Sequence, residues 1–587
     1  MGIVRTVKCN QCLVQTKGMS EEEVFDLDDE DAVRKYALQN AIEYKGKGQA
    51  GSVLGRVLAE REELRPRAKS LLILVESEVI RANAIARESG IEEVRRELER
   101  MAPEALEREK HRKIEGLRDL PGDTSEVVLR FAPNPNGPLT LGHSRGVVIN
   151  SIYAEKYQGK IVLRFDDTDT RVKPPLVDAY GWIEQEIEWL TGKSADVVVR
   201  ASERMPVYLR YAEEMLVEGF GYVCRCKAEE FRELRVSKTD CPCRSKAVAE
   251  SIEDWGKMNS GDIEEGGAVV RVKTEMDLPN PALRDWPALR IQHSPHPMVR
   301  DKYKVWPLLD FQSAIEDHEQ GVSHIIRGKD LMDSTRKQTL LYEHFGWTYP
   351  ETLYWGRVKI HEFGGFSTSG MSSSIDNEEF SGWDDPRLPT LKALRRRGFE
   401  SSSLIDFWKE IGLTQKDISI SMQTLESFNS RIIDGFCERR VFVSKPIRLD
   451  IRSEDTPSRV VMSRHPDGKI GGSREWEVDG TVFIQECDMV EGKLRLKDFA
   501  DVTISGSSAT IDSEDRSDDR TIVHWIPEKM SRKAILSIPD GEEISEEQGL
   551  VEDFDLREGA VYQFERVGFA RLESIENEVV RLLWLHN

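Results

Sequence analysis

The chain has 587 residues, with 83 Lys or Arg against 105 Asp or Glu, which gives a formal net charge of −22. This length exceeds what one hydrophobic core supports and predicts about three to five domains. Because the sequence shows no apolar run long enough to span a bilayer and no secretory leader, we expect no membrane association and a cytoplasmic location. The acidity argues against a general nucleic-acid binder, although phosphate contacts need only a local basic face.

The N-terminal region divides into two parts. Residues 1–28 differ from the rest and are interpreted as a flexible extension, with Met1 or Met19 as the start of translation. Residues 29–116 are charged and follow a helical period, so we expect helices there. One apolar stripe consists of Val33, Tyr36, Ala37 and Ala41, and the expected breaks between helices are Gly51, Gly55 and Gly90.

Residues 127–157 predict a buried strand to Phe131, a turn rich in Pro, Asn and Gly, and a helix from Ser144 to Tyr157. A glycine turn between a strand and a helix makes an anion site, because backbone N–H groups and the helix dipole point at the bound phosphate. The spacing fits neither a Walker loop nor G-x-G-x-x-G. His143 is the candidate phosphate contact, and the alternative is a histidine packed in the core.

A second predicted strand, Lys160 to Phe165, ends in an acidic run that starts at Asp166. Carboxylates at the C-terminal edge of a parallel strand lie where α/β folds bind ligands. The alternative for this run is a solvated acidic loop.

Four cysteines form two close pairs, Cys224 with Cys226 and Cys241 with Cys243, and fourteen residues separate the pairs. Two such pairs suit tetrahedral zinc better than disulfides in a cytosolic enzyme. We therefore expect a structural Zn²⁺ knuckle. The alternative is four reduced thiols whose spacing is accidental or whose metal has been lost.

Residues 130–146 read RFAPNPNGPLTLGHSRG, which resembles the first signature of class I aminoacyl-tRNA synthetases in the wording of the glutamyl/glutaminyl subgroup. The resemblance implies that Pro133, Gly142 and His143 bind ATP and that His143 stabilises its reacting phosphate. Thr140 stands where the family has a catalytic histidine. Its hydroxyl can still donate a hydrogen bond but carries no charge.

The acidic run is similar to the family element whose first acid meets the substrate α-amino group, and the resemblance gives this role to Asp166. Arg327 matches the amino-acid-binding arginine of glutamate enzymes, where glutaminyl enzymes have a neutral residue. Together with Arg130 it provides two guanidinium forks, which suit the two carboxylates of glutamate. Leu309 replaces a pocket tyrosine of bacterial-type relatives.

Residues 357–370 read RVKIHEFGGFSTSG and resemble the second signature, the KMSKS-type loop, in its archaeal form. The resemblance implies catalytic contacts from Ser367, Thr368 and Ser369, with Ser369 also at ATP. The lysine expected on the triphosphate is Gly370, and no Lys or Arg occurs between Lys359 and Arg387. We expect backbone N–H groups of the loop and Mg²⁺ to carry part of that charge.

The C-terminal half resembles the archaeal and eukaryotic branch of the subgroup. Residues 381–390 read SGWDDPRLPT and precede the basic cluster Arg395, Arg396 and Arg397, a candidate tRNA-binding face. From about Cys437 alternating apolar runs between Gly/Asp/Ser turns predict strands. Residues 495–498 and 561–569 resemble the β-barrel anticodon-binding domains of this branch, and its members carry a similar cysteine knuckle.

The chain is therefore identified as a member of the archaeal-type glutamyl-tRNA synthetases, a multidomain α/β plus β fold with a Rossmann-like catalytic domain. The resemblance implies ATP-dependent activation of glutamate and its transfer to the 3′ end of tRNA(Glu), by a monomer, with charging of tRNA(Gln) left open. A glutaminyl-tRNA ligase and a catalytically impaired tRNA-binding relative are the alternatives. The expected domains after the helical region are the catalytic halves 117–173 and 301–390, the acceptor-binding zinc insertion 174–300, a helical stem-contact region 391–436 and the barrels 437–587.

Overall fold

A computed structural model describes residues 25–102, 105, 117–363, 367–452, 458–516 and 518–587. The chain forms two compact units, residues 1–113 and 114–587. Most of the expected N-terminal extension, residues 1–24, lies outside the described residues. In the part of the chain that the structure describes, no helix is long and apolar enough to cross a bilayer.

The first unit is helical, as its period predicts. Asp26 caps the first helix by accepting a hydrogen bond from the Asp29 N–H at 2.8 Å. Val33, Ala37 and Ala41 are buried in the core of this unit, whereas Tyr36 is only partly buried. The helices are α1 (Leu27–Glu43), α2 (Ala50–Glu60), α3 (Ala68–Glu88) and α4 (Ile91–Met101).

Two of the three predicted helix breaks are wrong. Gly51 and Gly55 lie inside α2, where a Cβ at either position would meet no heavy atom within 4 Å. A solvent-facing glycine lowers helix propensity but does not end a helix that packs on its other face. Gly90 does separate two helices, because its φ of +86° is a conformation that ends one helix before α4 begins.

The second unit begins with the catalytic region. Its elements in chain order are β1 (Val128–Phe131), α5 (Leu141–Tyr157), β2 (Lys160–Phe165), α6 (Val177–Thr191), β3 (Val197–Arg200), α7 (Met205–Val217), β4 (Gly221–Cys224), α8 (Ala228–Ser237), α9 (Val248–Ser260), β5 (Val269–Val272), β6 (Pro287–Ile291), β7 (Val305–Pro307), α10 (Leu309–Glu319), β8 (His324–Gly328), α11 (Met332–Phe345), β9 (Glu351–Trp355) and β10 (Val358–Ile360).

Five of these strands form one parallel sheet in the order β3-β2-β1-β8-β9. The order reverses between β1 and β8, where Leu129 faces His324. A doubly wound sheet binds ligands outside the carboxyl ends of its strands at this switch point. The Rossmann-like prediction for the catalytic region is confirmed.

The expected bounds of the insertion, 174–300, are wrong at both ends. β3 belongs to the parallel sheet, so the catalytic fold continues as far as Arg200. β7 pairs with β6 in the antiparallel sheet β4-β5-β6-β7, so the insertion ends at Pro307. A short apolar strand fits either sheet, and its periodicity carries no information about its partner.

The remaining chain links helices to two large sheets. The elements are α12 (Thr368–Asp376), α13 (Leu391–Arg397), α14 (Ser401–Ile411), β11 (Ile418–Ile420), α15 (Met422–Ile433), β12 (Arg439–Arg440), β13 (Phe442–Ser444), β14 (Pro446–Ile451), β15 (Arg459–Ser463), β16 (Ser473–Glu477), β17 (Thr481–Gln485), β18 (Gly492–Leu496), β19 (Ala500–Ser505), β20 (Ser508–Ser513), β21 (Thr521–Val523), β22 (Trp525–Pro527), β23 (Ser531–Asp540), β24 (Glu543–Glu552), β25 (Val561–Phe564), β26 (Gly568–Glu576) and β27 (Val579–His586). The strands of the two sheets are ordered β12-β25-β26-β27-β23-β24-β13 and β21-β18-β19-β20-β14-β17-β22, which confirms the expected β-rich C-terminal region.

Candidate active site

A cavity of about 730 Å³ opens at the carboxyl ends of β1, β2 and β8, at the switch point of the parallel sheet. It brings together residues that lie more than two hundred positions apart in the sequence. Thr140 does not line it. The predicted site residues that do line it are Arg130, Pro133, Gly142, His143, Asp166, Arg327, Ser367, Thr368 and Ser369.

The first signature is held by reciprocal capping of α5. The Thr140 hydroxyl oxygen accepts from the His143 N–H at 3.4 Å, and His143 Nδ1 accepts from the Thr140 N–H at 3.2 Å. α5 therefore begins at Leu141, three residues before the predicted start. Because Nδ1 is an acceptor, the neutral ring carries its proton on Nε2, which is left to donate. Thr140 thus orients His143 at the helix N-terminus.

A buried carboxyl group accepts a hydrogen bond from the backbone of this signature. Glu186, on α6, accepts from the Leu139 N–H at 2.7 Å and is 6% exposed. Burial raises the pKa of the Glu186 carboxyl from 4.5 to about 8. The proton is retained in the folded protein at pH values where the unfolded chain has lost it.

We expect Glu186→Gln to stabilise the protein increasingly as the pH rises from about 5 to about 8. The wild-type carboxyl costs about 1.4 kcal/mol of unfolding free energy per pH unit in this window, and the cost becomes constant above it. Denaturant unfolding at several pH values measures the difference. Glu188→Gln, an exposed change on the same helix, is the control, and a pH-independent difference for Glu186→Gln contradicts the account.

Three guanidinium groups converge on one fully buried carboxylate, Asp317 of α10. Arg164 donates to its Oδ1 at 2.7 Å and Arg130 to the same oxygen at 3.3 Å. An Arg327 guanidinium nitrogen lies 3.9 Å from Oδ2. These positive neighbours outweigh the desolvation of the carboxyl group, so the pKa of Asp317 is lowered despite its burial. Asp317 therefore holds three cations at one end of the cavity.

Asp166 lies at the same end, directly after β2. Its Oδ1 accepts from Arg164 Nε at 2.7 Å and from Gln312 Nε2 at 3.0 Å. The Asp166 N–H donates to the Pro133 carbonyl at 3.0 Å, and Asn134 Nδ2 donates to the Asp166 carbonyl at 2.9 Å. The acidic run is therefore tied to the first signature and is not a solvated loop at this position.

The sequence interpretation missed Arg164, which lines the cavity, and Asp317, which lies behind the lining and holds its arginines. Arg164 carries a signal that the sequence shows, because its charge stands in the otherwise apolar end of a buried strand. Asp317 carries no such signal, since Glu316, His318 and Glu319 surround it in the sequence. Their partners cannot be read from spacing, since Asp317 lies 153 positions from Arg164 and 187 from Arg130.

The second signature forms the opposite wall. Ser367 caps α12 by accepting from the Gly370 N–H at 3.1 Å, and the Ser369 hydroxyl lies 3.4 Å from the Ser367 hydroxyl. A Cβ at Gly137 would lie 2.8 Å from Thr368 Cγ2, so the glycine permits the close approach of the two signatures. Residues 364–366 of this loop lie outside the described residues.

Leu309 is the first residue of α10, is 48% exposed and lines the cavity. It brings an apolar side chain to the position where bacterial-type relatives are expected to offer a tyrosine hydroxyl. The Leu309 side chain therefore offers no hydrogen bond at this position.

The predicted basic face is wrong for one arginine. Arg397 is 6% exposed and donates to the Leu585 carbonyl of β27, because α13 packs against the C-terminal strand. Arg396 is half-buried and pairs with Glu573 at 2.6 Å. Arg395 is exposed beside Trp189, at 5.9 Å from the ring centroid. Consecutive helical positions point about 100° apart, so three neighbouring arginines cannot share one face.

The four cysteines of the insertion come together as their spacing predicts. Their sulfur atoms all lie within 4.8 Å of one another. The measured separations are 3.7 Å for Cys224–Cys241, 3.5 Å for Cys226–Cys241 and 3.9 Å for Cys226–Cys243. A tetrahedral zinc with bonds of about 2.3 Å requires sulfur separations of about 3.8 Å. The donor set fits zinc.

Residues 126–434 match the family described as tRNA synthetases class I (E and Q), catalytic domain. A glutamate–tRNA ligase from Archaeoglobus fulgidus is 42% identical over 557 residues, which cover 94% of this chain and 98% of that protein. One from Methanosarcina mazei is 42% identical over 575 residues, with coverage of 94% and 98%.

The chain belongs to the archaeal-type glutamate–tRNA ligase family of class I aminoacyl-tRNA synthetases. The crystal structure of a glutamate tRNA ligase from Elizabethkingia meningosepticum is 20% identical, with a TM-score of 0.36, over 52% of this chain and 69% of that one. ATP is a substrate throughout the class I synthetases. Family membership confirms the recognition that the two signatures suggested.

Proposed function

We propose that the chain activates glutamate with ATP and transfers it to tRNA(Glu). The observation that carries this proposal is the cluster of Arg130, Arg164 and Arg327 around Asp317, beside an anion-binding helix N-terminus. Within this cluster three cations face two anions, Asp317 and Asp166, so the cluster keeps a net positive charge. Glutamate, with its two carboxylates, complements this charge better than glutamine does.

In the first step an oxygen of the glutamate α-carboxylate attacks the α-phosphorus of ATP. The bond to the bridging oxygen breaks, pyrophosphate leaves with the electron pair, and glutamyl-adenylate remains. Arg130 and Arg327 hold the carboxylates, Asp166 faces the α-amino group, and His143 Nε2–H donates to the phosphate as its charge develops. Mg²⁺ bound to the triphosphate of ATP would supply further positive charge.

In the second step the 2′-hydroxyl of the terminal tRNA adenosine attacks the activated carbonyl, and AMP leaves. The insertion holds the acceptor end, and the β-rich C-terminal sheets hold the anticodon. The stem contacts a groove that has four cations against three carboxylates and two indoles, which suits phosphates and unpaired bases. This groove replaces the predicted three-arginine face. Its cations are Lys392, Arg395, Arg396 and Arg571, its indoles are Trp182 and Trp383, and its carboxylates are Asp384, Glu558 and Glu573.

The glutamate–tRNA ligase acts as a monomer in the cytoplasm.

ATP–pyrophosphate exchange with glutamate, measured with and without tRNA, tests the first step. We expect exchange with glutamate and far less with glutamine. Equal or faster exchange with glutamine supports the glutaminyl alternative, and no exchange with either amino acid contradicts activation.

We propose that Cys224, Cys226, Cys241 and Cys243 hold one structural Zn²⁺ that fixes the β4–β5 region of the insertion. Three of the four thiols are buried, so an empty site would leave polar groups packed without a metal. We expect about one zinc per chain by elemental analysis. Cys241→Ser should lose the metal and lower the melting temperature, because metal binding is coupled to folding.

Cys487→Ser is the matched control, since Cys487 is exposed and lies far from the cluster in the sequence. It should keep both the zinc and the melting temperature. A purified wild-type protein with no zinc, whose stability a chelator leaves unchanged, supports the alternative of four reduced thiols.

A further inference from the structure

Arg327 has an unusual partner for a buried guanidinium group. Its nearest hydrogen-bond acceptor is a neutral amide, Gln338 Oε1, at 3.0 Å, followed by the Thr335 hydroxyl at 3.5 Å. Among the described residues its one carboxylate within 4.0 Å is Asp317, at 3.9 Å. Arg164 and Arg130 contact the other oxygen of Asp317, Oδ1, at shorter distances, while the 3.9 Å from Arg327 to Oδ2 is too long for a hydrogen bond. The charge of Arg327 is thus oriented but poorly compensated.

Gln338 is fixed in place by its other contacts. It is 1% exposed, and its Nε2 donates to the Asp310 carbonyl of α10 at 3.1 Å. Its Oε1 accepts from the Tyr349 hydroxyl at 2.7 Å as well as from Arg327. Because Oε1 accepts two hydrogen bonds and Nε2 donates one, only one orientation of the amide satisfies all three. The oxygen therefore always faces Arg327.

Gln338 also lines the cavity beside Arg327. A carboxylate at this position would bond the same guanidinium with the same geometry, yet would neutralise it. An amide bonds the guanidinium without supplying a charge, so the positive charge is available to a ligand.

We propose that Gln338 is a specificity-determining positioning residue: it aims Arg327 at the substrate side chain while leaving that arginine's charge to be matched by the second carboxylate of glutamate. This inference rests on the proposed function and deepens it. Discrimination between glutamate and glutamine then depends on Gln338 being uncharged while it accepts a hydrogen bond from Arg327.

The test is Gln338→Glu, which keeps the size of the side chain and its acceptor for Arg327. The added negative charge pairs with Arg327 and repels the substrate carboxylate, so we expect the affinity for glutamate to fall by about a hundredfold. The affinity for glutamine, whose side chain is neutral, should stay within about threefold. Equilibrium dialysis of radiolabelled glutamate and glutamine against the full chain measures both.

Tyr349→Phe is the matched control, because it removes the other donor to Gln338 Oε1 and adds no charge. It should change both affinities by the same small factor. If Gln338→Glu fails to fold, Gln338→Met, which is neutral and of similar length, replaces it in the test. Met offers no acceptor to Arg327, so we expect the affinity for glutamate to fall by about tenfold and the affinity for glutamine to stay unchanged.

The inference is overturned if the Gln338 variants change the affinities for glutamate and glutamine by the same factor. It is also overturned if they leave the affinity for glutamate unchanged. Because binding needs no catalysis, this outcome is separate from failure of the proposed function. A wild-type chain that binds glutamate selectively but transfers none to tRNA contradicts the ligase and leaves the binding comparison to decide the role of Gln338.

Discussion

Replacement of Gly370 by lysine is expected to raise the rate of adenylate formation by about a hundredfold. Gly370 stands at the position of the triphosphate-binding lysine in the second signature and follows three residues that line the cavity. A positive charge placed where charge develops on the leaving pyrophosphate lowers the barrier more than it stabilises bound ATP. Single-turnover formation of glutamyl-adenylate with saturating tRNA measures the effect.

The local structure allows this substitution. Gly370 lies in the first turn of α12, and a Cβ there would meet only the Ser367 hydroxyl oxygen, at 3.1 Å. Lysine also has the higher helix propensity. Gly370→Gln, a long neutral side chain, is the control and should leave the rate near that of the wild type. Equal rates for the Lys and Gln variants would show that the loop does not deliver this position to the triphosphate.

Arg327→Ala is expected to raise the KM for glutamate by about a hundredfold or more. The substitution removes the guanidinium that faces the second carboxylate, while Gln338 Oε1 keeps the hydrogen bond from the Tyr349 hydroxyl. The effect on kcat should be smaller, because side-chain binding contributes to the ground state and the transition state alike. Steady-state pyrophosphate exchange over a range of glutamate concentrations separates the two constants.

Arg336→Ala provides the matched control for that substitution. Arg336 lies on α11 with its side chain 55% exposed and pairs only locally with Asp333 at 3.2 Å. Its removal should leave the KM unchanged. A KM for glutamate that is also unchanged in Arg327→Ala contradicts the assignment of the pocket.

Much of the fold is readable from the sequence where periodicity and motifs coincide. The strand Lys160–Phe165 is found at the predicted residues, and α5 ends at the predicted Tyr157. α5 begins three residues before the predicted Ser144, because Thr140 and His143 cap the helix reciprocally and so extend its first turn. The insertion departs from its predicted limits because β3 and β7 are short apolar strands, and nothing local in their sequence assigns them to the parallel or the antiparallel sheet.

The site shows the same division between local and non-local information. The signatures identify the residues that line the cavity, since each motif is local in sequence. Contacts across the fold bring the three arginines to Asp317, place Gln338 against Arg327 and bury Arg397 against β27. Charge compensation is decided by which groups meet in space, and the spacing of one motif does not determine it.

The most direct test of the account is the charging of purified tRNA from the source organism with radiolabelled glutamate, with glutamine in parallel and ATP omitted as the control. The account predicts ATP-dependent transfer of glutamate at enzymatic rates and little transfer of glutamine, even though Gly370 replaces the loop lysine. Binding of tRNA with transfer of neither amino acid would contradict it and favour a catalytically impaired relative.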